Sequence, residues 1–365
     1  MTVTSGLDQM AVLAWSARTR EDIDVLLSAV RAEGGNVRWR AVGDKENNIG
    51  IIRLASDPAT ALVERVTNGI DALLELGGLQ HPGEDPESPR AAAARWYGVP
   101  AKGLGEMNES NRRALGERLQ VVLEDSGEQR RPTVVVDDSG CGLSPRLIPK
   151  TILSLNEDNK IRKPWLIGLY GQGGSATLGF SRATVIVSRR HPDFNGTEPD
   201  RIGWTIVLEE ETDPALVKTS RYVYLVDDSG EVFTCSPSVL PELNNGTRIV
   251  HVGYDLQSWS GPFTTGIWQF LHAAMFDPVL PFLVAGRRTP TEAGYGSRIV
   301  VGNAARLSNP ERARGEIQIT YSDTIREDLS TDQGSIEFSF CEVDFLERLG
   351  LVHVALRLLY RSHGA

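Results

Sequence analysis

The sequence predicts an α+β fold with a mostly antiparallel sheet covered by helices. Three observations carry this prediction. Short β-branched segments at 183–188, 202–208, 222–226 and 247–251 follow one another. Segments of helical spacing lie before and after them. Strands and helices grouped in this way, rather than in strict alternation, belong to the α+β class. The chain has 365 residues, 41% hydrophobic and 24% charged, which is ordinary globular usage and long enough for two packed units.

From the N-terminus, Ile23, Leu26, Leu27 and Val30 sit at helical spacing and stop at Gly34-Gly35, predicting a helix over Arg20–Ala32. Residues 37–54 read as two short strands around the turn Gly43-Asp44-Lys45-Glu46-Asn47-Asn48. A long helix follows, capped by Ser56 or Asp57, with Pro58 in its first turn and Gly77-Gly78 as its stop. Residues 79–131 are polar and read as an insertion with helices at 91–96 and 111–123. A buried-type strand at 134–136 runs into Asp137-Asp138-Ser139-Gly140-Cys141-Gly142. Beyond it come a helical 147–155, a charged loop at 156–163 and a glycine-rich stretch. After the four central strands, a helix is predicted at 267–275, strands at 299–301, 316–321 and 335–341, and a closing helix at 344–360. The resulting division is an N-terminal arm and helix at 1–45, a central domain at 46–264 with the insertion at 79–131, and a smaller α/β domain at 265–365.

A formal net charge of −10 disfavours nucleic-acid binding through the overall field. Cys141, Cys235 and Cys341 form neither a paired framework nor a metal spacing, which suits a reducing compartment. With no signal-like start and no membrane-length apolar run, a cytoplasmic protein without membrane attachment is expected.

Four local patterns bear chemistry. On the long helix, Glu64, Asn68 and Asp71 lie at i, i+4 and i+7, so they project within about 60° of one another, with Val63, Val66, Ile70 and Leu73 opposite. Asp138 follows a strand beside Gly140 and Gly142, where a carboxylate can accept from an exocyclic amine and low bulk lets a flat base approach. Gly168-Leu-Tyr-Gly171-Gln172-Gly173-Gly174-Ser175 has the glycine density of a loop that gathers backbone N–H groups round an anion. It lacks the Gly-Lys-Ser/Thr of a P-loop and does not open a dinucleotide-binding unit. Last, Thr247 follows Asn244-Asn245-Gly246 and leads into Ile249-Val250. Each pattern alone is equally the mark of a solvated helix face, a turn or a hairpin.

In this order, the four patterns resemble the GHKL ATPases, the superfamily of gyrase B, the heat-shock chaperone of ninety kilodaltons, histidine kinases, MutL and MORC proteins. The match spans about residues 56–250, and the lid wording Ile167-Gly-Leu-Tyr-Gly-Gln-Gly sits closest to the chaperone and MORC members. The resemblance implies a Bergerat-type α/β sandwich followed by a transducer-like domain. It implies ATP and Mg²⁺ as cofactors, Glu64 as the base that activates water, Asn68 as the Mg²⁺ ligand and Asp71 near the phosphates. It also implies Asp138 on the adenine amine with Thr247 in support, Gly140 and Gly142 as room for the purine, and Gly168, Gly171, Gln172, Gly173, Gly174 and Ser175 around the triphosphate, closing a lid at 150–173. Lys160, Arg162 and Lys163 make that lid basic.

Histidine kinases generally lack the glutamate, so hydrolysis is expected over phosphotransfer. Relatives often direct a transducer lysine at the γ-phosphate, yet residues 265–365 contain no lysine, leaving Arg287, Arg288 or Arg306 as substitutes. The expected function is therefore a nucleotide-driven conformational switch, slow or partner-dependent in hydrolysis, able to form a homodimer and to engage a protein partner or client. The alternatives are a non-hydrolysing scaffold in a bacterial stress or phage-defence complex and, less favoured by the acidic charge, a DNA-processing ATPase.

Overall fold

The computed structural model of the chain describes residues 6–33, 38–53, 57–128, 130–155, 163–168, 173–210, 220–256, 263–287 and 296–307. The fold is mixed α+β, dominated by one large open sheet. Its strands are β1 (Arg38–Ala41), β2 (Leu119–Glu124), β3 (Thr133–Asp138), β4 (Ala183–Arg189), β5 (Ile202–Glu210), β6 (Arg221–Val226), β7 (Phe233–Cys235), β8 (Gly246–Val252), β9 (Phe282–Arg287) and β10 (Arg298–Val300). The order is β1-β6-β5-β4-β8-β3-β2-β9-β10, with β7 paired to β5. Among the described residues, every pairing is antiparallel except that of β2 with β9.

The helices are α1 (Gly6–Ser16), α2 (Arg20–Ala32), α3 (Ile49–Ile52), α4 (Pro58–Gln80), α5 (Pro89–Tyr97), α6 (Glu109–Gly116), α7 (Gly173–Ala176), α8 (Phe263–Ala274) and α9 (Gly302–Leu307). Strand side chains alternate between faces, so the central strands feed two cores. On one face, Val122, Val135, Val185, Val250 and Trp204 pack against Met10, Ala14, Leu26 and Val30 of α1 and α2. On the other, Leu119, Val121, Val134 and Val136 pack against Leu62, Val66, Ile70 and Leu73 of α4. Each of those four α4 side chains is fully buried, worth about 1.5–3 kcal/mol apiece in transfer free energy. Further along the same face, Ile186, Ile249 and Tyr224 meet Val42, Ile52, Ile148 and Leu153 from short helices and turns.

Asp57 caps α4 by accepting from Thr60 N, and Pro58 fills the first turn, as expected. Gly77 and Gly78 do not stop the helix, which runs on to Gln80. A Cβ at Gly77 would come 2.7 Å from the Trp96 ring, and one at Gly78 2.9 Å from the Trp165 ring. These glycines make room for two tryptophans rather than ending a helix.

Other expectations also change. The polar start contains α1, whose Met10, Ala11 and Ala14 are buried. Residues 49–52 form α3 in place of a second strand, because the buried Asn48 side chain bonds Val42 O and both backbone groups of Tyr222. The helix expected over 111–123 ends at Gly116, and Leu119–Glu124 is a strand paired on both sides. Cross-strand pairing of Val121 and Val122 overrides the local helical spacing there. Residues 147–155 are turns after a short 3₁₀ helix rather than a helix.

The stretch 79–131 therefore supplies β2, an interior strand, and β9 and β10 extend the same sheet beyond it. The strands expected at 316–321 and 335–341 and the helix at 344–360 lie outside the described residues. Among the described residues, no helix is long and apolar enough to cross a membrane.

Candidate functional site

Register places the site. Ser188 on β4 stands opposite Thr247 on β8, and Thr247 stands opposite Asp138 on β3. These three have the same parity as Ile186, Ile249 and Val136, so they form a polar row at the strand ends on the face that α4 covers. Ser188 Oγ lies 2.9 Å from Thr247 Oγ1, donates to Gly246 O at 3.0 Å and accepts from Leu143 N at 2.9 Å. The Thr247 hydroxyl is thus held beside the Asp138 carboxyl. Asp138 Oδ1 accepts from Gly140 N at 2.9 Å. Burial pushes the Asp138 carboxyl up to about 7, Asp137 adding to the rise and the Gly140 and Thr247 N–H groups opposing it.

The turn after Asp138 is locked against its surroundings. Cys141 N donates to Ala72 O of α4 at 2.9 Å, and a Cβ on Gly140 would meet the Ala72 carbonyl carbon at 2.6 Å. Gly142 has φ +59°, and a Cβ there would lie 1.9 Å from Arg189 O. Both glycines serve close backbone packing of the turn on α4 and the sheet, a reason independent of the room for a purine expected from sequence. Asn245, not singled out by sequence, donates to Gly140 O at 2.6 Å and so fastens the same turn to β8.

On α4, Glu64 is exposed, Asn68 half-buried and Asp71 buried. The carboxylate of Asp71 accepts from Ile167 N at 2.8 Å and Gly168 N at 3.0 Å. It anchors the stem of the glycine-rich segment. Glu75, one turn further along this face, pairs with Lys163 at 2.6 Å, and the Lys163 ammonium lies 5.6 Å from the Trp165 ring centroid. Lys163, counted from sequence among the charges that make the lid basic, is thus paired with α4. Glu75 continues the spacing of Glu64, Asn68 and Asp71 and was legible on that ground. Ser188 was not, since a serine closing a strand carries no local signal.

Gly173, Gly174 and Ser175 begin α7, which packs against α4, and Ser175 is buried. Gly171, Gln172, Lys160, Arg162 and Arg288 lie outside the described residues. Arg287 ends β9 and Arg306 lies in α9. The structure thus sets Asp138 beside Thr247, packs the Gly140–Gly142 turn on α4 and the sheet, and joins Asp71 to Gly168, while Asn68 and Glu64 lie along the same α4 face as Asp71.

Asn68 carries one amide oxygen, a ligand type that Mg²⁺ takes alongside phosphate and water oxygens. Among the described residues, no group of three or more His, Cys, Asp and Glu side chains is placed to hold a metal by itself. When compared with known protein families and with curated proteins, the chain matches no family model and no curated sequence.

Proposed function

We propose that this chain is an ATP-binding and ATP-hydrolysing protein of the GHKL type with a Bergerat-like sandwich, acting as a nucleotide-driven conformational switch. The observation that carries the reading is the buried row Ser188, Thr247 and Asp138, facing the helix that bears Asn68 and Glu64. A buried carboxyl beside a fixed hydroxyl at strand ends is a recognition element for an amine-bearing flat ring. In this reading the ionised Asp138 accepts from the adenine amine, with Thr247 bonding the same edge directly or through water.

Asn68 holds Mg²⁺, which when bound neutralises charge on the phosphates. The exposed Glu64, one turn from Asn68, orients a water and takes its proton as the water oxygen bonds to the terminal phosphorus and the bond from that phosphorus to the bridging oxygen breaks, leaving ADP and phosphate. The glycine-rich segment supplies backbone N–H groups to the triphosphate. Closure on ATP drives the switch only if the closed state binds ATP more tightly than the open one.

A second reading, a nucleotide-dependent scaffold that does not hydrolyse ATP, draws on the lack of any lysine in residues 265–365. Homodimer formation, a protein client and a place in a stress or phage-defence complex remain part of these proposals. Calorimetric titration with Mg²⁺ and a non-hydrolysable ATP analogue tests binding, and phosphate release by wild type and Glu64→Ala separates the two readings. Failure of the wild type to bind the analogue defeats both.

A further inference from the structure

Hydrogen-bond polarity in the buried row is set at Ser188. This residue, near the end of β4, is fully enclosed. Leu143 N donates to its hydroxyl at 2.9 Å, Gly246 O lies 3.0 Å away and Thr247 Oγ1 lies 2.9 Å away. A hydroxyl carries one proton and two lone pairs. The Leu143 N–H occupies one lone pair, and a carbonyl only accepts, so the Ser188 proton goes to Gly246 O. The second lone pair is what remains for Thr247, which therefore donates its own proton to Ser188. In the reverse assignment Ser188 would donate to Thr247, and the Gly246 carbonyl would face an oxygen lone pair at 3.0 Å with no water to relieve it.

With its proton spent on Ser188, Thr247 has only lone pairs to offer. Beside it stands Asp138, which accepts from Gly140 N and, once ionised, is also an acceptor alone. Thr247 is 6% exposed and Asp138 8%, so solvent does little to mask a mismatched partner. A ligand edge set against these two residues has to bring the donors.

We propose that Ser188 is a positioning residue that turns the Thr247 proton away from the ligand, so that Asp138 and Thr247 only accept and select a 6-aminopurine over a 6-oxopurine. This rests on the nucleotide reading above and assigns base selectivity to a residue that does not touch the base. The amine brings donors to the row, directly or through a bridging water. The carbonyl of a 6-oxopurine sets lone pair against lone pair, a repulsive element aimed at the wrong base. Without Ser188 the Thr247 hydroxyl rotates freely and can donate to that carbonyl, so the penalty on the oxo base falls.

The test uses the full chain with Mg²⁺ and two probes, ADP and inosine diphosphate, which carries a carbonyl in place of the amine. Calorimetry at pH 8 gives both Kd values with the Asp138 carboxyl, pushed up to about 7, mostly ionised. Wild type is expected to bind ADP at least about tenfold more tightly than inosine diphosphate, and Ser188→Ala to shrink that ratio at least about threefold. The N1 proton of the oxo base is common to every measurement, so the change in the ratio reports the Thr247 hydroxyl. A merely structural role for Ser188 would weaken both probes together. A ratio that shrinks less than threefold, or grows, overturns the proposal, and so does a wild type that binds inosine diphosphate as tightly as ADP. If Ser188→Ala fails to fold, Ser188→Cys decides, because a thiol fills the space but accepts only weakly; the same shrinkage is expected, and an unchanged ratio overturns the proposal. A wild type that binds neither probe instead defeats the nucleotide reading and this proposal with it.

Discussion

Replacing Asp138 by Asn separates recognition from stability at one atom. The carboxyl is pushed from 3.8 to about 7 by burial. Ionising it in the free protein therefore costs roughly 4 kcal/mol at pH 8, from about three pK units at ~1.4 kcal/mol each. The sign follows from a raised folded-state value. Relative stability is fully present below pH 3.8, where folded and unfolded forms are both protonated, and is lost as pH rises through about 7. Asn has the same shape and no charge to bury. Its carbonyl oxygen can keep the bond from Gly140 N that Asp138 Oδ1 now accepts at 2.9 Å.

Asp138→Asn is thus expected to be more stable than wild type at pH 8, by up to about 4 kcal/mol in urea unfolding, with the gain vanishing near pH 4. Binding should move the other way. The amide nitrogen would face the adenine amine, setting donor against donor and removing a charge-assisted bond worth about 1.5–3 kcal/mol, or at least a tenfold to hundredfold loss of affinity. Calorimetry with the ATP analogue and urea titrations on the same samples give both quantities. Unchanged affinity, or stability and affinity falling together, would refute the reasoning.

Three further outcomes follow from the same geometry. Wild-type affinity for the analogue should rise as pH increases through about 7, where Asp138 ionises, while Asp138→Asn should give a flat profile over pH 6–8; a flat wild-type profile would count against Asp138 as the acceptor. Glu64→Ala, at an exposed position, should leave analogue binding and Tm near wild type but lower phosphate release by about 10² or more; equal release would remove Glu64 from the base role. Gly142→Ala should destabilise by more than about 2 kcal/mol in urea unfolding, because φ is +59° and the new Cβ would overlap Arg189 O; a change under 0.5 kcal/mol would mean that the turn relaxes freely.

The sequence by itself determined the α+β class, the four central strands, the start of α4 and the grouping of Glu64, Asn68 and Asp71. These depend on short-range regularities: a period of two in strands, 3.6 in helices, and a cap followed by proline. It misjudged elements whose fate depends on distant partners. Leu119–Glu124 became a strand because β3 and β9 flank it, and Gly77-Gly78 stayed helical because Trp96 and Trp165 occupy the space that side chains would fill. The site divides in the same way. Asp138 and Thr247 were legible as separate residues, but only strand register sets them side by side with Ser188. Asp71 was legible as a carboxylate on the right helix face, and only the tertiary structure decided that its oxygens hold the backbone of Ile167 and Gly168. Local periodicity is encoded within a few residues, whereas the partner of a buried polar group is set by chain segments about a hundred positions away that folding brings within hydrogen-bonding distance.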